Sequence, residues 1–189
     1  QKGQDVDDQR IRFDFSHFQQ VEKEELQRIE DIVNAKIREN IPLEEARNIP
    51  IEEAKAAGAM MLFGEKYGDL VRMITFDPEC SRELCGGTHV PATGHIGLFK
   101  IVSEGAVAAG VRRIEAVTSE QAQTYVKAQL EELNQVRNLF KNPQHLIKQI
   151  KDLQEENKQL RKELDQKMAE QANALQQSLH DQFENVNGN

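Results

Sequence analysis

The chain has 189 residues, of which 38% are hydrophobic and 30% charged, and its net charge is −8. This acidic balance excludes a stand-alone nucleic-acid binder with a broad basic face, because neutralising phosphates supplies most of such a protein's affinity. Two cysteines are too few for a disulfide framework and indicate a reducing, cytoplasmic setting. With no apolar run of membrane-spanning length, we expect no membrane contact and no signal peptide.

The first half of the chain mixes strand and helix patterns. Alternation predicts a strand at Arg10–Phe15, and apolar residues three or four apart predict a helix at Glu22–Asn40. A short strand and a short helix follow, and β-branched runs predict three more strands. These later elements are predicted at 43–48, 51–57, 70–76, 96–103 and 111–117.

The strands and helices do not alternate as regular β-α-β units. They predict an α+β fold with a mainly antiparallel sheet and packed helices over residues 1–118. From Ser119 a helical pattern begins, which Asn142-Pro143 should interrupt. The heptad-like spacing beyond Pro143 predicts that 119–189 form a long α-helical or coiled-coil extension, with scope for self-association.

The segment Cys85-Gly86-Gly87-Thr88-His89 carries the clearest chemistry. A thiolate and an imidazole four residues apart can supply two corners of a tetrahedral zinc site. The glycines allow a tight turn and a close approach of the backbone to a substrate. The alternative is a buried cysteine beside an unrelated loop histidine.

The rest of the chain does not complete a tetrahedron by sequence alone. We expect Cys80 to be a packed thiol, whereas His17 and His95 are loop residues that could reach the same cavity. Two further ligands should therefore come from outside this chain. Because it begins at Gln1 without a Met, we expect the chain to be part of a longer protein.

Three blocks together resemble the editing domain of alanyl-tRNA synthetases of the bacterial type. They are Cys85–His89, the run Thr93–Ile101, and Gly110–Val117. The beginning of the chain, Gln1-Lys2-Gly3 with Arg12–His17 further on, is similar to the same domain. The resemblance covers 1–118, and the helical remainder resembles the linker towards the family's C-terminal domain.

This resemblance implies that Cys85 and His89 are zinc ligands, and that an H-x-x-x-H helix upstream of Gln1 supplies the other two. It also implies that Gln1 lines the editing pocket. Thr88 is a candidate to bind a serine hydroxyl, with capping of the ligand loop as the alternative. With half of its ligands, the chain alone should bind zinc weakly and hydrolyse little.

The function implied is hydrolysis of Ser-tRNA(Ala) and Gly-tRNA(Ala) within an alanine–tRNA ligase. The intact ligase would join alanine to tRNA(Ala) using ATP bound in an activation domain that this chain lacks. A pocket sized for alanine admits glycine and rejects one added hydroxyl only poorly, so a second, hydrolytic site is needed.

Two other interpretations remain open at this point. A free-standing trans-editing deacylase would share the Cys85–His89 motif, and a non-catalytic oligomerisation module would need only the helical extension. The editing domain of threonyl-tRNA synthetases carries a related zinc half-motif, but the block around Arg112-Arg113 favours the alanyl type. One of these two arginines could contact a phosphate, the alternative being a surface salt bridge. We expect Glu44 and Glu45 to be solvated charges.

Overall fold

The fold was analysed in a computed structural model that describes residues 1–61, 67–140 and 143–187. The chain divides into two compact units, Gln1–Gln129 and Leu130–Asn189. Within the described residues, no helix is long and apolar enough to cross a bilayer. The elements of the first unit up to its last strand are β1 (Gly3–Val6), β2 (Ile11–Ser16), α1 (Lys23–Arg38), β3 (Glu44–Pro50), α2 (Ile51–Ala56), β4 (Leu70–Phe76), β5 (Ser81–Leu84), β6 (Phe99–Ala108) and β7 (Val111–Thr118).

Two antiparallel sheets organise the first unit and confirm the α+β prediction. One has four strands in the order β1-β2-β7-β6, and the other has three in the order β3-β4-β5. Gly110 makes the turn between β6 and β7 at φ +70, a conformation that glycine adopts at little cost. The five predicted strands all form, although β6 begins at Phe99 because a 3-10 turn occupies Thr93–Ile96.

Helix α1 is joined to the four-stranded sheet by polar side chains as well as by its apolar stripe. Asn34 donates to the carbonyl of Phe99 and accepts from its N–H, at 2.9 and 3.0 Å. Glu30 is only 8% exposed and accepts from the Ile101 N–H at 3.0 Å and from Lys100 at 2.8 Å. The helix ends before Asn40, whose φ of 52 stops the right-handed turn.

One face of the three-stranded sheet packs against helix α2, and the other carries charged side chains together with the buried Ile74. Helix α2 packs its Ala54 against Val71 and Leu84, with Met73 at the edge of this core. The alternation of β-strands therefore turns Arg72 and Glu83 to the opposite face.

The second unit contains the end of α3 (Ser119–Asn138), a 3-10 turn at Pro143–His145, and the 42-residue helix α4 (Leu146–Asn187). The helical character predicted beyond Ser119 is confirmed. Pairing of α4 into a coiled coil stays a prediction, as does the assignment of 1–118 and 119–189 as domains. Helix α3 ends at Asn138 and α4 begins at Leu146, so the predicted interruption is present, with Pro143 in the 3-10 turn; Asn142 lies outside the described residues.

Candidate metal centre

The loop after β5 brings a thiol and an imidazole together. Cys85, His89 and Glu83 each contribute one donor atom to a group whose members lie within 4.8 Å of one another. Among the described residues this is the only such group of three, so Cys80, His17 and His95 are not part of one. Thiolate, imidazole and carboxylate are the donor types that zinc takes in proteins.

His89 carries an unsatisfied polar atom at this point. Its Nε2 is buried and has no hydrogen-bond partner among the described residues. The ring lies beside Phe76, with centroids 6.3 Å apart. A buried nitrogen without a partner is costly in an apolar setting, and a metal ion would satisfy it. The residues present therefore fit a zinc ion.

Arg72 holds the Cys85–Gly87 loop in place from the neighbouring strand β4. Its Nη1 donates to the carbonyl of Cys85 at 2.8 Å and to the carbonyl of Gly87 at 2.6 Å. The Gly87 N–H in turn donates to the Cys85 Sγ at 3.4 Å. Arg72 thus holds the loop through its backbone carbonyls and not through the thiol or the imidazole.

Glu45 is an exposed residue, as expected, but it also orients Arg72. Its carboxylate pairs with both Arg47 and Arg72, and its side chain is 23% exposed. The hydrogen bonds from Arg47 and then Arg72 lower the pKa of Glu45 to about 2. Glu44 is exposed as expected and has no such ion pair within the described residues. The role of Glu45 and Arg72 was not predicted, because ion pairing across β3 and β4 depends on strand register.

A cleft of about 690 Å³ opens beside the loop. Its lining carries two arginines, Arg47 and Arg72, against one glutamate, so it is locally positive within an acidic chain. Gly86 and Gly87 form part of the lining, and a Cβ at Gly86 would meet nothing within 4 Å. Neither glycine has a positive φ within the described residues, so the turn itself does not require them. They keep the backbone accessible.

The predicted site residues lie in different places. Thr88 is exposed, lines the cleft, and makes no hydrogen bond through its hydroxyl within the described part of the chain. Gln1 precedes β1 and donates to the side chain of Gln4 at 2.8 Å. Gln1 is not among the residues that line this cleft.

The expectation of a packed thiol at Cys80 is wrong, because Cys80 is exposed. It closes the turn between β4 and β5, where its N–H donates to the carbonyl of Asp77 at 2.9 Å. Asp77 has a φ of 65, and this turn puts Cys80 at the tip of the hairpin. His95 is exposed in the 3-10 turn, and the ring of His17 faces Phe15.

Arg112 and Arg113 both have carboxylate partners in the four-stranded sheet. Arg112 pairs with Glu104, whose side chain is 3% exposed, and Arg113 pairs with Asp14 at 2.7 Å. The two pairs occupy opposite faces, as β-strand alternation requires. The salt-bridge alternative is therefore the arrangement observed, although the Arg112–Glu104 pair is largely buried and not on the surface.

Comparison with known proteins agrees with the resemblance that the three motif blocks indicate. Residues 71–115 match the family described as "Threonyl and Alanyl tRNA synthetase second additional domain". The alanine–tRNA ligase of Cytophaga hutchinsonii is 58% identical over 98% of this chain and 21% of its own length. Those of Pseudomonas fluorescens and Parabacteroides distasonis are 49% and 47% identical over 100% of this chain, and 22% and 21% of their own lengths.

The chain therefore spans about a fifth of the length of these relatives. The similarity includes the helical extension as well as the matched domain. Because the motif blocks, the family match and identities of 47% to 58% agree, this chain belongs to the alanyl-tRNA synthetase family.

Proposed function

We propose that this chain is the editing part of an alanine–tRNA ligase and serves to hydrolyse Ser-tRNA(Ala) and Gly-tRNA(Ala). The observation that carries the proposal is the convergence of Cys85, His89 and a locally positive cleft. A positive cleft suits the phosphate-bearing end of a tRNA, even though the whole chain is acidic. Similarity to the ligases over the full chain supports a ligase parent over a free-standing deacylase.

The proposed metal is zinc, held by Cys85 and His89 together with two ligands from outside this chain. A bound zinc ion would supply Lewis-acid polarisation of the ester carbonyl or activation of a water. Arg72 fixes the loop so that the thiol and imidazole keep their spacing. Gly86 and Thr88 line the cleft, and the proposed role of the Thr88 hydroxyl is to bind the hydroxyl of a serine ester.

Further elements of the proposal concern the intact protein. It would bind alanine, ATP and tRNA(Ala), with ATP in its activation domain, and would work in the cytoplasm. Gln1 is proposed to line the editing pocket of the intact protein. Alone, the present chain is expected to hydrolyse little, since it carries only part of the ligand set.

Loss of the thiol should abolish editing without affecting aminoacylation. In the intact ligase, Cys85→Ala is expected to lower kcat/KM for Ser-tRNA(Ala) hydrolysis at least about 100-fold. Loss of a residue that only hydrogen-bonds to a metal ligand already lowers metal affinity or activity about 10–100-fold, and Cys85 is a ligand itself in this proposal. Attachment of alanine should be unchanged. Cys80→Ala is the matched control, since this thiol is exposed in a turn. Full hydrolysis by Cys85→Ala would overturn the proposal.

A second candidate function, an oligomerisation arm, is favoured by the exposed apolar residues of α4. Three leucines of the heptad-like pattern beyond Pro143 are 55% to 59% exposed, namely Leu153, Leu160 and Leu164. A stripe of this kind is typical of a helix that pairs with another. Sedimentation of a peptide covering 119–189 should show a dimer or larger species at high concentration, and a monomer would contradict this function.

A further inference from the structure

The two arginines that line the candidate cleft differ in what they bind. Arg72 is committed to the loop of the metal centre, since its Nη1 donates to the carbonyls of Cys85 and Gly87. Its Nε pairs with Glu45, and its side chain is 22% exposed. The Arg47 side chain is 70% exposed, and its Nη1 makes no hydrogen bond in the described residues. Of the two, Arg47 therefore keeps a guanidinium edge free for a ligand.

A β-bulge in β3 places Arg47 in the lining of the cleft. The register of β3 shifts between Ala46 and Ile49, so that two residues, Arg47 and Asn48, lie opposite one residue of β4. Asn48 has a φ of 54, a left-handed conformation that asparagine tolerates better than most residues. Bulges re-aim side chains and are frequent next to active sites. Here both residues of the bulge line the cleft.

Glu45 fixes the orientation of the Arg47 guanidinium. Its carboxylate accepts from the Arg47 Nε at 2.5 Å and from the Nη2 at 3.2 Å, as a bidentate pair. The same carboxylate is held by Arg72 on β4. Two guanidinium groups share one carboxylate, so one positive charge is in excess. An arginine that is oriented in advance loses less conformational entropy when it binds an anion.

The proposed substrate offers one kind of anion to this arginine. In an aminoacyl-tRNA the carboxyl group of the amino acid is esterified and carries no negative charge, so the anions are the tRNA phosphodiesters. A planar guanidinium fork matches the oxygens of a phosphate. Arg47 lines the same cleft as Thr88 and His89. The phosphates closest to the ester are therefore the ones that would enter this cleft.

We propose that Arg47 binds a phosphodiester at the 3′ end of the tRNA, while Arg72 holds the loop of the metal centre. This inference rests on the proposed function. It divides the positive charge of the cleft between a residue that binds the substrate and a residue that positions the metal donors. Arg47 contributes to binding and not to the chemical step, so its loss should weaken the ground state and the transition state equally.

Steady-state hydrolysis of Ser-tRNA(Ala) by the intact ligase tests the inference. Arg47→Gln is expected to raise KM about fivefold with kcat unchanged, because one solvent-exposed charge contact is lost. The slope of log KM against log salt concentration should fall by about 0.7, the contribution of one phosphate contact with a single strand. Lys55→Gln is the matched control, because this exposed lysine of α2 does not line the cleft. It should leave KM and the slope unchanged.

Arg47→Lys keeps the charge but not the fork, so it should retain the salt slope of the parent. A parent-like KM in Arg47→Gln, a fall in kcat instead, or a reduced slope in Arg47→Lys would overturn the role of Arg47. Cys85→Ala in the same assay separates this failure from that of the proposed function. If Cys85→Ala abolishes hydrolysis, only the phosphate contact fails. If Cys85→Ala hydrolyses as the parent does, the proposed function fails as well.

Discussion

At the scale of single residues, the metal centre combines a buried imidazole nitrogen without a partner in the described residues with a loop backbone that Arg72 holds. The His89 Nε2 is buried without a partner, while the carbonyls of Cys85 and Gly87 are fully engaged by Arg72. The backbone is therefore held while the side-chain donors stay available. This is the arrangement expected of ligands whose geometry is fixed before the metal binds.

Thr88 offers a test of how serine would be read. In the intact ligase, Thr88→Val removes a hydroxyl but keeps the shape, so one hydrogen bond worth about 0.5–1.5 kcal/mol is lost. Hydrolysis of Ser-tRNA(Ala) should fall about 2–10-fold in kcat/KM. Hydrolysis of Gly-tRNA(Ala) is the matched control, because glycine has no hydroxyl. Equal effects on both substrates, or none on either, would remove Thr88 from serine recognition.

The sequence motif identified two residues of the donor group but not the third, nor the residues that hold the loop. Cys85 and His89 could be named from their spacing and from the resemblance, since the donors lie within one short loop. Glu83 could not, because its position depends on the register of β5 against β4. Arg72 and Glu45 depend likewise on pairing between β3 and β4. Cys80 was misjudged because the turn at Asp77 decides its exposure.

At the scale of elements, the two strands missed by sequence patterning are the short ones. Ser81–Leu84 has only one apolar residue and Gly3–Val6 has only one, so neither shows a period of two. Both form because a neighbouring strand supplies a ladder. The longer β4, an apolar run with β-branched residues, and α1, with its helical spacing of apolar residues, were predicted nearly to the residue. The local sequence pattern was therefore enough to predict the elements that have an apolar face of their own.

The ion pairs between β3 and β4 predict a pH-dependent stability. Because Arg47 and Arg72 lower the folded-state pKa of Glu45 from 4.5 to about 2, the charged form is favoured by folding. The stabilisation is present above about pH 4.5 and is lost as the pH falls towards 2. Glu45→Gln should therefore reduce the free energy of unfolding at pH 7, and the difference from the parent should shrink between pH 4.5 and 2.

Urea unfolding of both proteins across this pH range measures the effect. Glu44→Gln is the matched control, because the adjacent Glu44 is exposed and has no ion pair in the described residues. High salt should reduce the Glu45 effect, since Arg47 is 70% exposed. A Glu45→Gln difference that is constant from pH 7 to pH 3 would contradict this account.

At the scale of the whole molecule, the net charge of the chain differs in sign from the charge of the candidate cleft. The chain carries a net charge of −8, yet the lining of the candidate cleft has two arginines against one glutamate. Overall charge therefore says little about the local surface that would meet a tRNA end. The chain represents about a fifth of its relatives' length, so its editing role is a proposal about the intact protein.

The central claim is that Cys85 and His89 bind one zinc ion. X-ray absorption spectroscopy of the intact ligase at the zinc edge tests it most directly. The account predicts one zinc per chain with a single sulfur neighbour at about 2.3 Å. In Cys85→Ser that sulfur signal should disappear, whereas Cys80→Ser should retain it. A zinc shell without sulfur, or a sulfur signal that survives in Cys85→Ser, would contradict the account.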